Sequence, residues 1–316
     1  MGGRGREGNV NIETSVGVWG TTWRDTARAY IALTKPRVMM LLLITTVAAL
    51  LIAAREQGPS ILPALPHLLL WTMIGGALAS GGASTINQYI DRDIDGLMAR
   101  TKRRPLPTGA LSTRQVLVFG ILLSIAAVVL LALFVNPLAA GLALAGNLFY
   151  VFVYTLWLKR STPQNIVIGG AAGAVPPMVG WAAVTGHLSL APVLLFVIIT
   201  YWTPPHFWAL ALVKKNDYAR AAVPMLPVVR GDEETRWHIM LYTLLLVAAT
   251  LLLYMVHAMG WVYLASALIL GALFILEAVR LLHSPSLAQA RHLFMYSNMY
   301  LALLFAAMVV DRLLLT

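Results

Sequence analysis

The run Val116-Leu117-Val118-Phe119-Gly120-Ile121-Leu122-Leu123-Ser124-Ile125-Ala126-Ala127-Val128-Val129-Leu130-Leu131-Ala132-Leu133-Phe134 contains no charged residue. At 1.5 Å per residue, roughly 20 such residues cross the ~30 Å hydrocarbon core of a bilayer. A helix apolar on every face belongs in lipid or in the core of a large protein. Working outward, this run occupies 114–134, and eight more like it lie at 37–55, 65–90, 137–158, 165–186, 190–213, 237–258, 261–282 and 293–315. The whole chain agrees: its 316 residues are 59% hydrophobic and only 11% charged, with a mean hydropathy of +0.77. A soluble domain carries about 25% charged residues, so a soluble enzyme, a disordered chain and a DNA-binding domain are excluded. The expected fold is all-α, a polytopic membrane protein of nine transmembrane helices. Residues 1–36 are expected to form a cytoplasmic N-terminal tail and 37–316 one membrane domain. The 65–90 run is too long for a simple crossing, so its end should project past the hydrocarbon.

The net charge of +10 does not imply a nucleic-acid partner, because the cations sit in short clusters between apolar runs. Of the 23 Lys and Arg, 21 fall in the tail and in the connections at 91–114, 159–164, 214–236 and 280–292; only Arg55 and Arg312 lie on the other side. The positive-inside rule then places the N-terminus in the cytoplasm and the C-terminus outside, which requires an odd number of spans. The tail lacks the apolar stretch and cleavage site of a secretory signal; a prokaryotic cytoplasmic (inner) membrane is the expected location. Cysteine is absent, which removes disulfides, thiolate zinc sites, a cysteine nucleophile and thioether-linked haem. Gly169, Gly170, Gly173 and Gly180 make 165–186 a close-packing helix. Trp157, Trp237 and Trp261, at span ends, read as an aromatic belt.

Chemistry concentrates on the cytoplasmic side. Asn87, Asp91 and Asp95 stand at i, i+4 and i+8 where the second span leaves the membrane, so helical geometry aligns them on one stripe. Two carboxylates a turn apart, backed by an amide, form a hard oxygen site suited to Mg²⁺. The plainer alternative is a solvated helix end, but like charges at i, i+4 repel and polar groups at membrane depth are costly. Asp91-Arg92-Asp93-Ile94-Asp95-Gly96 also opens like an EF-hand loop; its twelfth position is Lys102 rather than a bidentate Glu, so calcium sensing is rejected. Next comes Lys102-Arg103-Arg104. These cations could serve topology alone, or could join the diacid in binding one polyanion. The sixth span carries Thr203-Pro204-Pro205-His206-Phe207-Trp208 and then Lys214-Lys215-Asn216-Asp217-Tyr218-Ala219-Arg220. Paired prolines break the hydrogen-bond ladder where a backbone lines protein or a cavity. His206 is either a haem or proton contact, or a cap for a carbonyl those prolines free. Glu277 should pair with Arg280 at i+3. Two polar clusters on one face, with Lys159 and Arg160 beside them, describe a pocket with a wet mouth and an apolar interior.

With these residues placed, the chain resembles the intramembrane aromatic prenyltransferase (UbiA) superfamily, and within it the branch that prenylates haem. The resemblance runs from Thr34-Lys35-Pro36-Arg37 onward. It rests on Asn87-x3-Asp91-x3-Asp95, on 100–106 and 162–170, and most specifically on Pro204-Pro205-His206-Phe207-Trp208 and 217–227. It implies a nine-helix bundle with its site open to the cytoplasm. Farnesyl diphosphate would bind through Mg²⁺ at Asp91 and Asp95, with Asn87 supporting and Asp217 carrying a second acidic site. Lys102, Arg103, Arg104, Lys159, Arg160, Lys214 and Tyr218 would meet the diphosphate, and His206 the haem. Haem b would be a substrate rather than a cofactor, accepting the farnesyl group at a vinyl carbon with addition of water. Other implied partners are the lipid bilayer and haem A synthase or a terminal oxidase assembly. The chain departs from quinone-pathway relatives at Gln88 and Ala221, where they carry further aspartates.

Two alternatives share these features. A quinone or chlorophyll-like acceptor would use the same diacid stripe and differ only in the segments specific to the haem branch. A transporter would also break helices with proline, but would place charge near the bilayer middle, and here charge collects at one face.

Overall fold

The computed structural model describes residues 22–314. Its elements are α1 (Trp23–Leu33), α2 (Pro36–Gln57), α3 (Leu65–Ile90), α4 (Arg92–Asp95), α5 (Thr113–Phe134), α6 (Pro137–Ser161), α7 (Asn165–Thr185), α8 (Leu190–Val213), α9 (Lys215–Arg220), α10 (Leu226–Val229), α11 (Gly231–Met255), α12 (Trp261–His283) and α13 (Leu287–Leu314). No strand occurs among the described residues. Nine of these helices are long and apolar enough to cross a membrane: α2, α3, α5, α6, α7, α8, α11, α12 and α13.

Starts and stops follow local chemistry. Ser112 and Gln115 form a reciprocal capping box on α5. Asn136 caps α6, which opens with Pro137. Two helices begin six residues before the apolar runs at 237–258 and 293–315. The early start of α11 follows from Asp232, Glu233 and Glu234 in its first turn, where carboxylates suit the positive helix end. Polar turns outside the hydrocarbon are invisible to hydropathy. For the same reason the tail expected over 1–36 contains a helix: Thr22 caps α1 by accepting from the Asp25 N–H. Residues 1–21 lie outside the described residues.

The helices α7 and α8 are central and more than half buried over their apolar stretches, whereas α5 is peripheral and mostly uncovered. Leu122, Ile125 and Leu133 of α5 are exposed, as a lipid-facing helix requires. A Cβ on Gly180 would stand 2.2 Å from the Thr46 carbonyl oxygen, so the backbones of α7 and α2 touch there. The last helix closes the ring by packing on α2 and α8. At one end of the bundle Arg312 pairs with Glu56 at 3.1 Å, and buried Asp311 accepts from the N–H groups of Gly260 and Tyr263 at the start of α12. The C-terminal ends of α2 and α13 therefore share a side, as an odd number of spans demands. Glu277 bonds Arg280 at 2.6 Å as its spacing predicts, and also Gln289 and His292 at 2.7 Å, which ties the α12–α13 hairpin.

Candidate functional site

The site is built at the end of α3. Although α3 stops at Ile90, the Asp91 N–H still donates to the Asn87 carbonyl and the Asp95 N–H to that of Asp91, both at 2.9 Å. The i, i+4, i+8 stripe thus continues into α4, and all three side chains are buried. Their charge is balanced by cations from elsewhere in the chain. Lys159 of α6 pairs with Asp91 Oδ2, which also accepts from Asn87 Nδ2 at 2.8 Å. Arg104 Nη1 lies 2.6 and 2.9 Å from the two Asp95 oxygens. The loop carrying Arg104 is folded back by Thr101, whose hydroxyl donates to the Asp95 carbonyl at 2.7 Å. Burial pushes the Asp95 carboxyl up despite Arg104. The neighbouring, exposed Asp93 is held low by the Arg160 fork at 2.6 and 2.7 Å. Arg160 also reaches to 3.7 Å from Asp91 Oδ1.

Two further groups enter. Lys35, between α1 and α2, donates to Asn87 Oδ1 at 3.3 Å. Burial, reinforced by Arg104 and Lys159, lowers this ammonium to about 7. From 149 to 158 the helix α6 is π-helical. There Thr155 donates to the Tyr150 carbonyl at 2.8 Å and accepts from Asn87 Nδ2 at 3.3 Å. π-Turns occur frequently at functional sites. Tyr154 in the same stretch packs against α7: a Cβ on Gly169 would fall 2.2 Å from its ring atom Cδ2.

The second constellation meets the 97–101 loop. Asp217 of α9 pairs with Arg220 and accepts from the Ala99 N–H at 3.4 Å. Burial alone would raise its carboxyl, but Arg220, the Ala99 N–H and Lys214 together hold it low. Arg100 stacks over the Tyr218 ring at 4.8 Å. The 97–101 loop therefore joins the two clusters.

Of the predicted diphosphate partners, Arg104 and Lys159 are in the cluster and Arg160 and Tyr218 border it. Lys214 is half-buried near Asp217, whereas Lys102 and Arg103 are exposed outside it. Asp91, Asp95 and Asp217 form no three-carboxylate group among the described residues; each has its own cation. His206 lies within the bundle, its ring stacked between Trp202 and Phe294 at 4.3 and 4.6 Å. Its Nδ1 meets the Ser297 hydroxyl at 2.7 Å rather than a carbonyl freed by the prolines. Because the Ser297 hydroxyl donates to the Phe294 carbonyl, it accepts from the Nδ1–H. That assignment leaves Nε2 with a lone pair. Sequence reasoning missed Lys35, Arg100, Tyr154 and Thr155 as site residues. Lys35 and Arg100 stand in the segments 34–37 and 100–106, where topology alone accounts for a cation; nothing in the pattern marks a π-turn.

The residues present suit Mg²⁺. The donors are hard oxygens, and Asp91 Oδ1 is buried with no hydrogen-bond partner, leaving a carboxylate oxygen open for a ligand.

Known proteins agree in fold and sequence. A relative from Chloroflexus aurantiacus named protoheme IX farnesyltransferase is 54% identical over 93% of this chain and 49% of its own length. The chain thus spans about half the length of that relative. A Nostoc protein of the same name is 54% identical over 93% of this chain and 92% of its own. In fold, a digeranylgeranylglyceryl phosphate synthase superposes with a TM-score of 0.74 at 21% identity, covering 91% of this chain and 99% of that one. A UbiA homolog from Archaeoglobus fulgidus bound to DMAPP and Mg²⁺ gives 0.62 at 17% identity, covering 89% and 99%. The profile of the UbiA prenyltransferase family matches residues 42–304, and the chain belongs to that family.

Proposed function

We propose that the chain transfers the farnesyl group of farnesyl diphosphate to a vinyl carbon of haem b, with addition of water. The observation that carries this reading is the buried Asn87–Asp91–Asp95 stripe faced by Lys35, Lys159 and Arg104. Relatives named protoheme IX farnesyltransferase at 54% identity support the choice of acceptor.

Diphosphate leaves poorly until its charge is neutralised. Mg²⁺ held by Asp91 and Asp95, with Asp217 joined through the 97–101 loop, would supply Lewis-acid neutralisation. Lys159 and Arg104 supply positive charge at the same place, and Lys35, lowered to about 7, takes up its full charge as the anion binds beside it. Arg160, Tyr218 and Lys214 border it, and Lys102 and Arg103 meet the anion on its approach. The C1–O bond breaks and its electron pair leaves with diphosphate. The vinyl π electrons then form the new C–C bond at C1. Positive charge moves next to the porphyrin, where water adds its oxygen and releases a proton. The apolar bundle above the stripe keeps bulk water from the allylic cation. With Nδ1 held by Ser297, the Nε2 lone pair of His206 suits the haem iron rather than a propionate oxygen. The product is passed to haem A synthase or a terminal oxidase assembly in a prokaryotic inner membrane, with the site on the cytoplasmic side.

The test is incubation of membranes containing the chain with haem b, farnesyl diphosphate and Mg²⁺, with porphyrins read by mass spectrometry. Haem b should gain a hydroxyethylfarnesyl substituent. EDTA should stop the reaction, and added Mg²⁺ should restore it. Asp91→Asn, inserted at normal levels, should be inactive because a neutral amide replaces the open carboxylate. Turnover insensitive to both EDTA and Asp91→Asn would sink the metal role, and an unmodified haem would sink the acceptor.

A further inference from the structure

The face of α3 next to the diacid stripe performs a separate task. Leu33 ends α1, so its carbonyl is one of the acceptors a helix end leaves unpaired. Two buried side chains of α3 fill it: the Ser84 hydroxyl at 2.9 Å and Gln88 Nε2 at 2.8 Å. One turn back, Gly81 admits the adjoining residue; a Cβ there would stand 3.1 Å from the Thr34 methyl. Gly81, Ser84 and Gln88, at i, i+3 and i+7, share one stripe, and Asn87 and Asp91 lie beside it.

What the stripe holds is the corner between α1 and α2. Lys35 sits in that corner with φ +50° and ψ +62°. The proline after it disfavours the right-handed helical region, and a non-glycine keeps the left-handed one only where its surroundings fix it. That conformation sends Lys35 Nζ to Asn87 Oδ1. The rest of α1 adds to the fixation: Ala29 and Leu33 are buried with Leu111 and Val116, and Tyr30 meets Phe119 edge-on at 4.8 Å.

We propose that Gln88, assisted by Ser84, is a positioning residue for the diphosphate site, acting through Lys35. It holds the Leu33 carbonyl so that the corner stays turned and the ammonium reaches the diacid stripe. The inference rests on the diphosphate reading above, but not on the identity of the acceptor.

A double-mutant cycle separates this from a general packing role. The purified full chain in nanodiscs is titrated with inorganic pyrophosphate and Mg²⁺ by calorimetry, as wild type, Gln88→Leu, Lys35→Met and the double variant. Gln88→Leu should weaken binding about tenfold in the wild-type background, the loss expected for one charge-assisted contact. In the Lys35→Met background it should weaken binding less than about twofold, because the group it acts through is already gone. Gln88→Met, which keeps much of the length but has no donor, should behave like Gln88→Leu and stands in for it if that variant is not recovered folded. Equal losses in both backgrounds, or no loss in Lys35→Met alone, would overturn the proposal while leaving the diphosphate site intact. A wild type that binds no pyrophosphate would overturn both.

Discussion

His206 is fixed by contacts of three kinds: Ser297 on Nδ1, Trp202 and Phe294 on its faces, and Phe207 edge-on at 5.1 Å. Trp202 Nε1 also donates to the Ser297 carbonyl at 2.7 Å, so the serine anchors both rings. If Nε2 serves the acceptor, His206→Ala should raise the apparent KM for haem b and leave that for farnesyl diphosphate unchanged. Loss of a neutral hydrogen bond, about 0.5–1.5 kcal/mol, corresponds to a roughly 2- to 12-fold effect; loss of an iron ligand exceeds it. Steady-state kinetics with each substrate varied, beside a thermal midpoint, decide the matter. Equal changes for both substrates with a lowered midpoint would assign His206 to packing alone. At this scale the aspartates were legible because a period of four on a helix is a geometric statement. Lys35 was not, because its closeness to Asn87 depends on a corner fifty residues away in sequence.

The helices show a similar division. Apolar runs revealed every span, since hydrocarbon thickness dictates their length. They did not reveal polar first turns, the surface helix α1, or the π-helical stretch of α6, because none of these changes hydropathy. The density of glycine in α7 was legible as close packing, yet its four glycines differ in role. Gly169 lies against Cδ2 of the Tyr154 ring, Gly170 against Thr203 with atoms 2.9 Å from a built Cβ, and Gly180 on the Thr46 backbone, whereas Gly173 has nothing within 4 Å. Gly169→Ala should therefore drive Tyr154 and the π-turn out of place, costing about 1–3 kcal/mol by overpacking and lowering prenyl transfer with it. Gly173→Ala should be neutral or stabilising by up to about 1 kcal/mol, as helix propensity favours alanine. Thermal midpoints and turnover of the two variants provide the check; equal behaviour would show that the Tyr154 contact carries no weight.

The molecule as a whole has two unlike ends. Lys35, Asp91, Asp95, Lys159, Arg104 and Asp217 gather at one, while Glu56, Arg312 and Asp311 mark the other. By the positive-inside rule, the 21-to-2 division of Lys and Arg is the ground on which we propose that the first end faces the cytoplasm. Reporters active on only one side of the membrane, fused at the C-terminus and within 221–225, should report opposite compartments. The same compartment for both would reject the arrangement. This parity could be counted from sequence, whereas the closure of the ring by α13 against α2 could not, because helices far apart in the chain carry no periodic sign of their pairing.

That closure bears on how the protein is made. A chain is synthesised from its N-terminus, so the diacid stripe and the cations on α3 to α6 enter the membrane early. Ser297 arrives only with the ninth helix, and until then nothing fixes the tautomer of His206 or covers the exposed flank of α2. The Asn87–Asp91–Asp95 stripe and its cations are therefore assembled first, and the surroundings of His206 are completed by the last segment to be inserted. A nascent protein halted before α13 would carry the diacid stripe but have an open wall beside α2 and α8, which makes completion of translation itself the final step in closing the bundle.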